Sequence, residues 1–71
     1  MLAKIMKLQE AAPFRPFVMV TSSGKAHEVP TPDNLTITRI LRRIDIEYSD
    51  GSWAEIIPLH VAAVEGSPSA A

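Results

Sequence analysis

A chain of 71 residues forms one domain at most, and without cysteine it has neither disulfide staples nor thiolate metal sites. Its hydrophobic share of 46% suits a folded domain and exceeds what disordered chains carry. Lys and Arg number 7 against 8 Asp and Glu, a net charge of −1, which gives no general attraction to nucleic acid or to anionic membranes.

The opening "MLAKIMKLQEAA" is not expected to act as a secretion signal, because Lys4 and Lys7 interrupt its apolar residues. No apolar run approaches the roughly 20 residues that cross a bilayer. The cytoplasm is therefore the expected location, with no membrane partner. Residues 2–12 read as a helix. Leu2, Ile5 and Met6 share a face, Leu8 and Gln9 lie near its edge, and Lys4, Lys7 and Glu10 point away. Pro13 ends it, since the residue before a proline is pushed out of the helical region. About three turns are marginal in isolation, so the apolar face must dock.

Pro13 and Pro16 stiffen the connector that follows. Phe14 and Phe17 lie three residues apart, on one side of an extended segment, and are expected to plug the junction between helix and sheet while Arg15 projects outward. "FVMVT" (17–21) reads as a strand, "SSGK" as a turn with Gly24 at positive φ, and "KAHEV" (25–29) as the returning strand. His27 shares a face with Val29. "PTPDN" (30–34) breaks the pattern, because proline cannot sit in a central ladder.

"LTITRIL" (35–41) alternates and then loses phase at Ile40 and Leu41, which predicts a bulge or short turn near Arg39. "RRIDIEY" (42–48) has the cleanest period of two, with Ile44, Ile46 and Tyr48 facing in. "SDGS" carries a hairpin signal and "WAEIIPL" (53–59) returns. A two-residue loop would set Glu55 opposite Ile46. A three-residue Ser49-Asp50-Gly51 loop sets Ala54 and Ile56 opposite Ile46 and Ile44 and is preferred, because it buries no carboxylate. "HVAAVE" (60–65) fits a last edge strand, and residues 66–71 read as a flexible tail beyond a domain of 1–65. The expected fold is α+β and mostly β: one N-terminal helix, then a four- to five-stranded antiparallel meander forming a curved sheet or a small partial barrel.

No catalytic constellation emerges: there is no nucleophile–base pair, paired-carboxylate site or cofactor fingerprint, so the expected function is not enzymatic and no cofactor or metal is expected. His27 and His60 lack a ligand spacing and read as strand-face or surface histidines. Arg39, Arg42 and Arg43 are the basic cluster, with Arg15 added if the connector folds nearby. Cross-strand ion pairs with Asp45, Glu47, Asp50 and Glu55 are preferred over phosphate contact. Trp53 is expected to cap the core, with an exposed partner anchor as the alternative. The candidate interaction surface is Phe14, Arg15, Arg39, Arg42, Arg43 and Trp53.

The "PFRPF" unit, a glycine turn, "V-P-x-P" and a late "I-P-L-x-x-V" resemble a group of small bacterial proteins of unknown function, over residues 11–65. The resemblance implies no activity. The element order is also similar to that of Sm-like barrels, although the Sm motifs for uridine-rich RNA are not evident. Two functions follow as expectations: an interaction module that self-associates or binds a protein, and, as the alternative, an Sm-like binder of single-stranded RNA.

Overall fold

The computed structural model describes residues 1–66. One helix, α1 (Leu2–Glu10), precedes six strands: β1 (Phe17–Thr21), β2 (Ala26–Val29), β3 (Leu35–Thr38), β4 (Arg43–Glu47), β5 (Trp53–Ile56) and β6 (Val61–Gly66). The expected class, a small mostly β α+β fold behind an N-terminal helix, holds. Among the described residues the strands number six rather than four or five, and they form two antiparallel sheets, ordered β2-β1-β6 and β3-β4-β5. The last strand does not extend a meander. It returns to β1, pairing Met19 with Val64, with an irregularity between Val20 and Thr21.

The two sheets meet at two covalent corners. Residues 30–34 carry β2 into β3 through a single 3-10 turn at Pro32–Asn34, and a second such turn at Pro58–His60 carries β5 into β6. The strands therefore follow one another around a single core. Every element contributes to it: Ile5 from α1, Phe17 and Met19 from β1, Val29, Leu35, Ile44 and Ile46, Ile56 and Val61 are all buried. The strand side chains alternate between this core and solvent with period two.

The helix lies against that core through Ile5, with Leu2 and Leu8 half-buried beside it. It ends at Glu10, two residues before the expected boundary, and Ala11 is already extended at ψ 138°. Gln9 fixes its end to the first corner, Nε2 donating to the carbonyls of Pro32 (3.1 Å) and Leu35 (2.6 Å). The Ala12–Pro13 bond is cis. Phe14 packs on the core, its ring centroid 5.9 Å from that of Phe17. At the same corner, the Asn34 amide donates to the Glu47 carbonyl at 2.8 Å and so ties the turn to β4.

Two hairpins share one loop geometry. Thr21 N–H donates to Lys25 O and Gly24 N–H to Thr21 O; Tyr48 N–H donates to Ser52 O and Gly51 N–H to Tyr48 O. Each is a three-residue loop with glycine third, at φ 88°, in the left-handed region that glycine enters without steric cost. The preferred register thus holds: Ile44 faces Ile56 and Ile46 faces Ala54. The third hairpin joins β3 to β4 through residues 39–42, so of the bulge and the short turn expected near Arg39 the chain forms the turn. Its left-handed residue is Arg42, at φ 48°. The expected tail lies outside the described residues apart from Gly66, which ends β6.

Candidate interaction surfaces

Sheet β3-β4-β5 buries one face and presents the other. Period two sends Ile44 and Ile46 inward, so Arg43, Asp45 and Glu47 point out, next to Thr38 and Thr36 on β3. On β5 the outward residues are Glu55, opposite Asp45, and Trp53, opposite Glu47. Trp53 is 67% exposed. The expectation that it caps the core is corrected: the three-residue loop that turns Ala54 and Ile56 inward necessarily turns Trp53 outward. Thr36, Arg43, Asp45, Glu47, Trp53 and Glu55, with Asp33 from the corner, line an open groove of about 350 Å³.

The groove is acidic. Asp33, Asp45, Glu47 and Glu55 line it against one cation, Arg43. Arg43 Nε donates to Asp45 Oδ2 at 3.3 Å, and both side chains are partly solvated, so the pair contributes little, at most about 1 kcal/mol. Asp45 and Glu55 stand directly opposite each other on neighbouring strands, an arrangement that repels.

The arginines do not form one field. Arg43 sits on the acidic face, while Arg39 and Arg42 are exposed in the β3–β4 turn. Between them Ile40 is 95% and Leu41 62% exposed. The loss of alternation at these two residues was the signal that they leave the sheet. Arg15 is exposed in the connector, and Phe14 is half-buried against the core, so the expected six-residue surface divides into at least three separate places.

A second groove, of about 480 Å³, opens between the start of α1 and the β5–β6 corner. Met1, Ile57 and Leu59 are its exposed apolar members, Leu59 at 87%, and Arg42 borders it from the turn. The composition gave no sign of it, because Ile57 and Leu59 read as strand residues until Pro58 is seen to start a 3-10 turn.

A third cleft holds His27 and His60 with Ser22, Lys25 and Glu55. His27 is buried, 4% exposed, and its Nδ1 lies 2.5 Å from Tyr48 Oη. Burial lowers the imidazole below its ordinary range, and Lys25 adds to this; burial raises the Tyr48 phenol, with Asp50 adding to it. Both groups are therefore neutral near pH 7, and the pair is a partly buried hydrogen bond between β2 of one sheet and the end of β4 in the other. His27 reads in sequence as a strand-face or surface residue; its shared face with Val29 is the sign of burial. Among the described residues, no group of three or more His, Asp or Glu is placed to hold a metal ion, and no helix is long and apolar enough to cross a membrane.

No family model, no curated protein and no solved structure matches the chain.

Proposed function

We propose that the chain is a non-enzymatic interaction module that acts by self-association. The observation that carries this reading is the amount of large apolar side chain left in water on so small a domain: Ile40, Leu41, Trp53, Ile57 and Leu59 are each at least half exposed. Scattered single residues would be ordinary, but these gather at a turn, a groove and a corner. Free strand edges support the same reading. β5 and β6 each end a sheet, and β6 carries two alanines, no proline and a single charge, Glu65, near its end. A domain of this size gains stability by covering such features with another copy.

Light scattering coupled to size exclusion tests it. The expected mass lies above the 7.7 kDa of one chain and rises with concentration. A mass of one chain at every concentration would overturn it. The single-stranded RNA alternative has weaker support. Stacking on Trp53 would bring phosphates against Asp45, Glu47 and Glu55, and only Arg43 among the arginines stands nearby.

A further inference from the structure

Two exposed features share one sheet: the 39–42 turn lies at one end of β4 and Trp53 at the other, with the acidic groove running between them from Arg43 to Glu47. The turn at residues 39–42 projects two aliphatic side chains between two arginines. The groove around Trp53 offers an exposed indole among four carboxylates. Arg43 begins β4 beside the turn, and Glu47 ends it opposite Trp53. At about 3.3 Å per residue the two ends of β4 lie roughly 13 Å apart along one rigid hairpin, so Ile40 and Leu41 do not reach the Trp53 indole of their own chain.

Each feature lacks what the other has. The groove carries the repelling Asp45–Glu55 pair and only one guanidinium. The turn carries Arg42 in the left-handed region where both other hairpins use glycine. An arginine held there gives up the easier backbone for a side chain, which points to a use for that side chain. Arginine and tryptophan are the residue types most enriched where interfaces concentrate their affinity, and a guanidinium over an indole face is attracted to it.

We infer that the 39–42 turn of one copy docks into the Trp53 groove of a second copy, Arg39 and Arg42 reaching the carboxylates and Ile40 and Leu41 covering the indole. This rests on the self-association proposed above and specifies its contact. The two patches differ, so the contact is head-to-tail and generates a ring or an open filament rather than a closed pair. One turn in one groove buries less than about 1,200 Å², so the association is weak and varies with concentration.

Sedimentation velocity on four samples tests it: the unaltered chain, a turn variant Arg39→Glu/Arg42→Glu, a groove variant Glu47→Lys/Glu55→Lys, and an equimolar mixture of the two variants. All four positions are exposed. The unaltered chain is expected to assemble, each variant alone to lose roughly tenfold or more in affinity, and the mixture to regain assembly, because each reversed patch then meets its opposite. Ile40→Ser/Leu41→Ser, which leaves all charges in place, is expected to weaken assembly as well. Undiminished assembly by every variant overturns this contact and leaves self-association standing. A single-chain mass for the unaltered protein overturns both. A monomer that sediments with phosphatidylserine vesicles through Ile40 and Leu41 assigns the turn to a lipid surface and also overturns the contact.

Discussion

Arg42 and His27 are the two residues whose settings run against their chemistry. A left-handed backbone costs a residue with a Cβ roughly 1–2 kcal/mol, and Arg42 at φ 48° bears that cost in solvent. Arg42→Gly is expected to leave stability unchanged or raise it by up to about 1 kcal/mol in urea titrations, since relief of the backbone offsets the freer unfolded chain. The same variant should weaken self-association. His27 is a basic group kept neutral by burial. Its folded-state pKa lies below the unfolded value of 6.5, so protonation favours the unfolded chain. The contribution of the neutral imidazole is complete above that value and is lost as pH falls below it through the folded-state pKa. Thermal melts should therefore show Tm falling as pH drops from about 7.5 to 5. A His27→Asn variant should flatten that slope, and Tyr48→Phe, which removes the partner hydroxyl, should cost about 1 kcal/mol at pH 7. An unchanged slope in His27→Asn would remove His27 from the explanation.

The elements were legible where local chemistry fixes them. Pro13 predicted the end of α1, and the structure stops it two residues earlier, when Ala11 becomes extended. Two glycines at the third place of three-residue loops set both glycine hairpins, and avoiding a buried carboxylate chose the right register of β4 and β5. The third hairpin was half legible. Ile40 and Leu41 break the alternation, but two apolar residues in sequence look like strand until the turn puts them in water. What holds α1 in place was not legible, because the Gln9 bonds join residues 23 and 26 positions away. Gln9→Ala leaves those two carbonyls without the amide and should cost roughly 1–2 kcal/mol by urea denaturation, with helical circular dichroism lost before the sheet signal. A loss below a few tenths of a kcal/mol would mean that Ile5 alone docks the helix.

At the scale of the molecule, the sequence foretold a small antiparallel fold with a helical lid and did not foretell its division into two sheets. The pairing of β6 with β1 joins residues 40 or more positions apart and leaves no local signature. The surface was hardest to read for the same reason. Whether Trp53 caps the core or faces water follows from register, and register follows from a loop rather than from tryptophan itself. The arginines likewise looked like one cluster in sequence and are divided by the turn between acidic face and tip. The resulting molecule covers its core well and leaves uncovered a basic apolar tip and an acidic groove whose indole lies at the far end of β4.

Trp53 is the only tryptophan of the chain, so its fluorescence reports the groove without a label. Emission recorded over a dilution series is the most direct measurement. If a second copy covers the indole, the maximum moves to shorter wavelength as concentration rises, and Ile40→Ser/Leu41→Ser holds it at the solvent-exposed value. A maximum that stays at the solvent-exposed wavelength at every concentration, for the unaltered chain, would contradict the account.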